Sequence, residues 1–386
     1  AKCRLGRAAC HLHMSQCSRQ SAVSRSHLGP SWLRGRLAIS GIQQMGIGVP
    51  DVEKIFKWYR DIFGIDIKVF EEAAEAPLMI DYTGDKVQSR TATLALSMES
   101  GGGFEIWQYT SRTPVMPDFK IAMGDLGLNA CKIRTYNVKK TFEKFKALDV
   151  RVLTEVVTDL KGNPTFYIMD PYENMFQMVQ DDYVFRDTGD DTAGPMGCTI
   201  GVADIDKALT LYRDILGYDK VLADKEGGCE EYKGLNGSGN GYRRVLLTHN
   251  EPRNGSFSRM MGPSEIELIK VIDRKPRKIF DGRDWGDRGY IHLCFDINGM
   301  DELKELCASK GYPFTVDSAN SFDMGEAAGR FSYIEDPDGT LIEFVETHKL
   351  PIMKKLGWYK NLKNRDPKKP LPDWMLKAMW YTRVKN

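Results

Sequence analysis

The chain contains an internal duplication, and this feature constrains its fold more than any other. Residues 49–65 (VPDVEKIFKWYRDIFGI) match residues 202–218 (VADIDKALTLYRDILGY) in register. In each copy an apolar run leads to an Asp that can cap the following helix, and the helix ends at a Gly. We interpret the shared Tyr-Arg-Asp triplet as structural, because an Arg-Asp pair near a helix C-terminus usually is. The duplication predicts a fold of repeated units.

A second matched pair of segments closes each half of the chain. Residues 170–179 (DPYENMFQMV) parallel residues 336–345 (DPDGTLIEFV), and both patterns indicate a turn that feeds a strand. Helix-like segments at 138–148 and 300–310 each follow a strand-like run. The sequence therefore predicts an α+β fold of four units, each with a strand, a helix and several further strands. The units begin near residues 41, 128, 196 and 290.

Polar residues interrupt three strand-like runs, EIELI, YIHLCF and LIEFV. Because successive side chains of a strand point to opposite faces, Glu267, His292 and Glu343 lie opposite their apolar neighbours. One imidazole and two carboxylates that point inward from three strands indicate a divalent-metal site. Glu265 shares a face with Glu267, so the register could also be shifted by two residues. His249 is a reserve ligand that a nearby strand could present.

These motifs resemble those of the vicinal oxygen chelate superfamily, which includes glyoxalase I, methylmalonyl-CoA epimerase and extradiol dioxygenases. The resemblance covers roughly residues 40–348 and implies four βαβββ modules paired into two open mixed β-barrels. We expect residues 37–185 to form an N-terminal two-module domain without metal. Residues 186–349 then form a C-terminal two-module domain with the metal site. Residues 350–386 are a basic, aromatic tail that packs on the barrels.

The resemblance also implies where metal ligands would lie, namely on the first and last strands of each paired unit. In chain order these positions are Gln44, Glu105, Ala130, Gln177, Gly197, Glu267, His292 and Glu343. The first half offers one carboxylate and two amides, which make a poor divalent-metal site. The second half offers Glu267, His292 and Glu343 for Zn, Ni, Co, Mn or Fe, with Gly197 leaving a fourth position open.

Three functions remain compatible with such a site. A metal that chelates two vicinal oxygens acts as a Lewis acid, and Glu343 or Glu267 could then move a proton, as in a lyase or isomerase. The alternative of an extradiol-type Fe(II) dioxygenase needs more nitrogen ligands, which Gly197 does not supply and His249 could. A third alternative is a non-catalytic, resistance-type protein that binds a small molecule in an aromatic pocket.

Substrate contacts can be suggested only from residue type. Trp285 could line an aromatic pocket, together with Trp107, Tyr109 and Tyr242. Three arginines close to predicted loops and strands could meet an anionic group of the substrate. They are Arg243, Arg244 and Arg330.

Composition narrows the class of partner. The formal net charge of +1 gives no general reason to expect nucleic acid or an anionic membrane surface. No apolar run approaches the roughly 20 residues that span a bilayer. We therefore expect a small-molecule substrate, no nucleic-acid or membrane partner, and leave a homodimer open.

The first 36 residues differ from the rest of the chain, because they are rich in Arg and Ser and the first acidic residue is Asp51. This composition is typical of an organelle transit peptide, which would direct the protein to an organelle matrix. A vector-derived extension is the alternative, and the protein would then be cytoplasmic. In either case we expect disorder in this segment.

Overall fold

A computed structural model describes residues 36–319, 322–323, 328–353 and 358–384. The predicted leader, apart from Arg36, lies outside the described residues. Each of the helices in the described part of the chain is too short or too polar to cross a membrane.

The four predicted units are present, and each begins with a strand followed by a helix. The first contains β1 (Ala38–Gly48), α1 (Val52–Phe63), β2 (Ile67–Glu75), β3 (Ser89–Leu96) and β4 (Gly103–Tyr109). The second contains β5 (Gly127–Thr135), α2 (Val138–Ala147), β6 (Arg151–Val152), β7 (Val157–Thr158), β8 (Pro164–Met169) and β9 (Met175–Gln180). The third contains β10 (Thr192–Gly201), α3 (Ile205–Tyr212), β11 (Lys220–Gly228), β12 (Gly241–Thr248), α4 (Ser258–Met261) and β13 (Glu265–Val271).

The fourth unit and the tail complete the chain. The fourth contains β14 (Gly289–Asn298), α5 (Met300–Ser309), β15 (Val316–Asp317), β16 (Phe322–Asp323), β17 (Ala328–Glu335) and β18 (Leu341–Met353). The tail contains β19 (Trp358–Asn361) and α6 (Asp373–Lys377), and a 3₁₀ turn follows at Ala378–Thr382. The predicted helix caps are present, since Asp51 accepts from the backbone N–H of Lys54 and Asp204 from that of Lys207.

Within the described residues the strands form two curled sheets. One sheet joins the first and fourth units in the order β15-β17-β18-β14-β1-β4-β3-β2, and we call it the terminal-unit sheet. The other joins the second and third units in the order β11-β12-β13-β10-β5-β9-β8-β6, and we call it the middle-unit sheet. The α+β class and the pairing of βαβββ modules into two open sheets are therefore confirmed.

The partners within each pair differ from the expectation. Residues 37–185 and 186–349 do not form separate sheets, because β1 pairs antiparallel with β14 and β5 pairs antiparallel with β10. The physical reason is that the first strands of the units are equivalent apolar edges with the same hydrogen-bonding groups. Their sequences show that each must find a partner, but not which of the other units supplies it.

The two sheets pack through their helices and share one apolar core. Phe104 of β4 and Phe176 of β9 are in contact across the two sheets, with ring centroids 5.7 Å apart. The hydroxyl of Tyr59 donates to Oδ2 of Asp170 at 2.6 Å. The matching Tyr212 donates to Oδ2 of Asp336 at 2.9 Å. The Tyr of each repeated triplet thus joins a helix to the Asp-Pro turn of the opposite sheet, which agrees with the structural interpretation.

The C-terminal tail packs against the terminal-unit sheet. Leu371, Met375 and Leu376 are buried in an apolar cluster with Leu94 and Leu96 of β3. This arrangement brings residues after α6 to the cavity that the sheet lines.

Candidate metal centre

Four strands of the terminal-unit sheet bring together four of the predicted ligand positions. Gln44 lies on β1, Glu105 on β4, His292 on β14 and Glu343 on β18. Gly46 pairs with Glu105 on one side and with His292 on the other. β18 pairs in parallel with β14, which brings Glu343 to the same level of the sheet. The ligand atoms of Glu105, His292 and Glu343 lie within 4.8 Å of one another.

Gly46 makes room for the imidazole. A Cβ atom at this position would lie 2.3 Å from Cε1 and 2.5 Å from Nε2 of His292. No side chain larger than hydrogen fits there unless the ring moves. The absence of a Cβ at Gly46 therefore allows His292 to lie across β1 towards the carboxylates.

The polar atoms of the cluster face a common point. Nε2 of His292 lies 3.1 Å from Oε2 of Glu343 and 3.3 Å from Oε2 of Glu105. The side-chain amide of Gln44 donates to the same two oxygens, at 3.2 Å for Glu105 and 3.3 Å for Glu343. The hydroxyl of Tyr333 lies 3.5 Å from the other ring nitrogen, Nδ1, of His292. This contact orients the ring so that Nε2 faces the carboxylates.

Burial and charge oppose each other in this cluster. Burial lowers the pKa of His292, but the neighbouring Glu343 and Glu105 outweigh it and raise the pKa to about 10. Burial raises the pKa of Glu343, yet the adjacent imidazolium and nearby hydrogen bonds bring it below its ordinary value. In the absence of a metal the cluster therefore holds a proton on His292, which shares its charge with the carboxylates.

The residues fit a divalent cation. Oε1 of Gln44 and Nε2 of His292 are buried and make no aligned hydrogen bond with the described residues, although Nε2 lies within ion-pair distance of Glu105 and Glu343. Because a side-chain amide can rotate to present either its oxygen or its nitrogen, Gln44 can offer an oxygen ligand. Two carboxylates, one amide oxygen and one imidazole suit Zn, Ni, Co, Mn or Fe. With a neutral imidazole the two carboxylates carry a charge of −2, which such a cation balances.

Glu267, the third ligand expected from the sequence, lies in the other sheet. It occupies on β13 the position that Glu105 occupies on β4, but Lys132 Nζ lies 2.9 Å from its Oε2. Arg244 Nε donates to its Oε1 at 2.7 Å. These two cations hold the pKa of Glu267 at about 2, although burial alone would raise it. The structure thus does not bring Glu267 to His292, because their units pair with different partners.

The surroundings of Glu267 form a buried ionic network. Lys132 also contacts Glu265, at 3.0 Å, and Arg244 contacts Glu231, at 2.7 Å. Lys161 adds a second cation to Glu265 at 2.7 Å. Among these named side chains three carboxylates meet three cations, so the network is neutral without a metal ion. We call these six side chains the middle-sheet network: Lys132, Lys161, Glu231, Arg244, Glu265 and Glu267.

The other predicted site residues lie either beside the cluster or away from it. Trp285 lies beside the cluster, with its ring stacked on His292 at 6.4 Å between centroids. His249 contacts the carbonyl of Glu251 and does not join the cluster. Arg243 is paired with Asp224 on the outer part of β12.

Two predicted substrate contacts are engaged in ion pairs instead. Arg330 is bound to Asp317 at 2.8 Å and to Asp301 at 2.6 Å. Arg244 belongs to the middle-sheet network. Neither arginine lines the cavity at the metal centre.

A cavity of about 1070 Å³ opens from the cluster. Gln44, Glu105 and Glu343 form part of its wall, and Trp107 and Trp285 lie beside them. The rings of these two tryptophans are 4.1 Å apart between centroids. This volume lies just above the usual range of about 300–1,000 Å³ for small-molecule sites.

The sequence predicts all four positions of the cluster but divides them between two groups. It predicts no metal for the half that contains Gln44 and Glu105, and it leaves Gly197 as a gap in the set with Glu267, His292 and Glu343, whereas the structure brings Gln44, Glu105, His292 and Glu343 together. One signal could have corrected this: only the combination of the first and fourth units supplies four donor side chains without a gap. Tyr333, which touches His292, gave no signal in the sequence beyond its place in a strand.

The comparison with known proteins agrees with this architecture. The sequence model of the Glyoxalase/Bleomycin resistance protein/Dioxygenase superfamily matches residues 41–178 and 197–344. A point mutant of glyoxalase I from Zea mays is 14% identical and has a TM-score of 0.50, over 82% of this chain and 96% of that chain. A candidate dioxygenase from Bacillus subtilis subsp. subtilis str. 168 is 15% identical with a TM-score of 0.51, over 80% of this chain and 86% of that chain. A comparison with curated proteins finds no match.

The chain combines paired βαβββ units with a Glu-His-Glu cluster on one of its two sheets. The match to the family model spans most of the chain. The chain therefore belongs to the Glyoxalase/Bleomycin resistance protein/Dioxygenase superfamily. The solved structures share its fold, and at these identities they do not determine its reaction.

Proposed function

We propose that this protein is a divalent-metal-dependent lyase or isomerase that chelates two vicinal oxygens of a small substrate. The observation that carries the proposal is the convergence of Gln44, Glu105 and Glu343 at the wall of a large cavity, with the buried His292 directly beside them. A cation held by these side chains would act as a Lewis acid on the substrate oxygens. Its identity among Zn, Ni, Co, Mn and Fe is left to experiment.

The roles of the side chains follow from their surroundings. His292 is a fixed ligand, because its ring lies between Tyr333, Trp285 and the backbone of Gly46. The side chain of Glu343 is 7% exposed and that of Glu105 is 14% exposed, so Glu343 is the more enclosed carboxylate. We assign to Glu343 the transfer of a proton at a carbon next to a substrate carbonyl. Glu105 and Gln44 complete the ligand set.

The dioxygenase alternative is weaker. Iron sites that bind oxygen generally use two imidazoles and one carboxylate, and this cluster contains one imidazole. His249, which could have supplied a second, lies elsewhere and contacts Glu251. The alternative of non-catalytic binding keeps the cavity but assigns no role to the converging ligands.

Metal content tests the proposal directly. The purified wild type is expected to carry about one divalent ion per chain by elemental analysis, and His292→Ala is expected to carry none. His249→Ala is the matched control, because it removes an imidazole outside the cluster and should retain the metal. Wild-type protein that takes up no stoichiometric metal between pH 6 and 9 would contradict the proposal.

A second measurement separates the reaction classes. The metal-loaded protein is incubated in D₂O with α-hydroxycarbonyl compounds, while deuterium incorporation is followed by NMR and oxygen by an electrode. Exchange at the α-carbon without oxygen uptake is expected, and Glu343→Gln should abolish it. Oxygen uptake that needs Fe(II) would support the dioxygenase, and neither signal with a retained metal would support binding alone.

A further inference from the structure

The cavity extends from the metal centre along an apolar surface of the terminal-unit sheet. Leu94 of β3 pairs with Glu105, and Phe70 of β2 pairs with Leu94. Both apolar side chains line the cavity, as does Leu96 further along β3. An apolar row therefore begins next to a predicted ligand and continues to the edge strand of the sheet.

Other elements add further apolar side chains to this part of the cavity. Met260 and Met261 come from α4, and Met379 comes from the 3₁₀ turn of the C-terminal tail. Methionine side chains are flexible and adapt to apolar groups of different shape. The three methionines belong to the same apolar cluster as Leu94 and Phe70, and together they form a lining that suits a variable aliphatic or aromatic group.

The basic side chains that line the cavity are engaged with partners. Arg90 is bound to Glu72 at 2.8 Å, and Lys68 is bound to Glu71 at 2.5 Å. Lys349 lies over the ring of Tyr359 at 4.0 Å. Two of these three cations are thus paired with carboxylates and the third is held over an aromatic ring, which favours an uncharged substituent on the ligand.

We propose that the substrate carries an uncharged apolar substituent, a medium-length acyl chain or an aryl group, beyond its two vicinal oxygens. The oxygens bind at the metal centre, and the substituent lies between β2, β3, α4 and residues 378–382. This inference rests on the proposed function for the oxygen-bearing end of the substrate, and it adds the chemical class of the remainder.

Hydroxamic acids test both ends of such a ligand, because they chelate divalent metals through two vicinal oxygens. Binding of acetohydroxamic acid and octanohydroxamic acid is measured by calorimetry with the zinc-loaded and the metal-free full-length protein. We expect both compounds to need the metal for binding. Octanohydroxamic acid should bind roughly 100-fold more tightly than acetohydroxamic acid, because its alkyl chain is buried.

Two variants test whether the apolar substituent of the ligand binds at this part of the cavity. Phe70→Asn should reduce the affinity for octanohydroxamic acid about tenfold and leave acetohydroxamic acid unchanged. Met379→Asn, on a separate element, should do the same and serves if the first variant fails to fold. Trp374→Asn is the control, since Trp374 is an exposed aromatic side chain of α6 outside the cavity.

The two hypotheses fail in different ways. Metal-dependent binding with equal affinity for both hydroxamic acids would overturn the apolar substituent and leave the proposed function standing. A chain-length preference that is identical with and without zinc would overturn the proposed chelation. An equal loss of affinity for both compounds in Phe70→Asn and Met379→Asn would also overturn the assignment of this part of the cavity.

Discussion

The two sheets place a carboxylate at the same position and surround it differently. Glu105 pairs with Gly46 on β1, and Glu267 pairs with Thr199 at the matching place on β10. Around Glu105, Gln44 of β1 contributes an amide and His292 of β14 contributes an imidazole. Around Glu267 the matching first-strand positions are Ala130 and Gly197, and the space is filled by Lys132 and Arg244 of the middle-sheet network.

This difference shows two ways to stabilise a buried carboxylate on one fold. The middle-sheet network neutralises its carboxylates with cationic side chains from the same chain, so its electrostatics are complete. The candidate metal centre has two carboxylates and one titratable imidazole, and a bound cation would balance the charge of its neutral-imidazole form. Buried charge is costly unless it is paired, so we expect the stability of the two arrangements to respond to a different extent when a single group is removed.

The largest expected effect comes from breaking the middle-sheet network. Lys132→Met leaves Glu265 and Glu267 buried with one cation fewer, and the free energy of unfolding should fall by about 3–5 kcal/mol. Chemical denaturation measures this change. Metal content should stay at the wild-type value, because Lys132 belongs to the other sheet.

Lys140→Met is the control for this prediction. Lys140 is paired with Asp191 at the surface, and its side chain is 66% exposed. Its loss should cost less than about 1 kcal/mol. If Lys132→Met were as mild as this control, the middle-sheet network would not be the closed ionic unit that the comparison assumes.

A smaller effect is expected where Gly46 meets the imidazole. Gly46→Ala places a methyl group against His292, and the forced shift should cost about 1–3 kcal/mol of stability. Because the ring must move, metal affinity should fall as well. Thermal unfolding and metal titration measure the two effects.

Gly239→Ala provides the comparison for Gly46→Ala, since a Cβ at Gly239 would meet no atom within 4 Å. It should leave both stability and metal affinity unchanged within error. Unchanged metal affinity in Gly46→Ala would mean that the position of the His292 ring against Gly46 is not required for binding.

The metal centre should also show a pH dependence that the middle-sheet network lacks. The raised pKa of His292, about 10, means that the metal-free protein holds a proton that a metal must displace. Metal affinity should therefore rise by about tenfold per pH unit below that pKa. Conversely, the stability that this proton gives the metal-free fold is present below the ordinary His pKa of about 6.5 and is lost as pH rises through 10.

Calorimetric titration in two buffers of different ionisation enthalpy measures the proton release. About one proton per metal is expected at pH 7.5. His292→Asn should remove this release. Metal binding to the wild type without any proton release would contradict the protonated state of His292.

Much of the fold was predictable because it depends on local patterns. The Asp51 and Asp204 caps and the strands that carry His292 and Glu343 could be identified from residue spacing alone. The pairing of units could not, because it depends on which equivalent strand edges meet. The hydrogen-bonding groups of a strand are the same at every edge. Chain order favours pairing the first unit with the second and the third with the fourth, whereas the structure pairs the first with the fourth and the second with the third.

The same limit explains the partial prediction of the site. His292 and Glu343 come from one unit, so their proximity follows from the parallel pairing of β14 with β18 within that unit. Glu105 joins them only because β1 pairs with β14, and these two strands are far apart in the sequence. Lys132 was not recognised, because a buried lysine on an apolar strand becomes understandable only when its carboxylate partners are known.

The smallest expected effect tests whether the metal centre is truly unlike the middle-sheet network. In the metal-free protein Glu105→Gln should change the free energy of unfolding by less than about 1 kcal/mol. The reason is that His292 keeps Glu343 as a partner at 3.1 Å, while the partly exposed Glu105 is screened by solvent. Denaturation of the wild type and the variant, each with chelator and with zinc, measures the change.

With zinc the two proteins should differ, because a metal that binds only the folded state adds stability in proportion to its affinity. Glu105→Gln should therefore lose most of the zinc-dependent stabilisation while it keeps the metal-free stability. A loss of 3 kcal/mol or more in the metal-free protein would show that Glu105 is held as tightly as Glu267. The cluster would then be a second structural ion network, and the contrast between the two sheets would not hold.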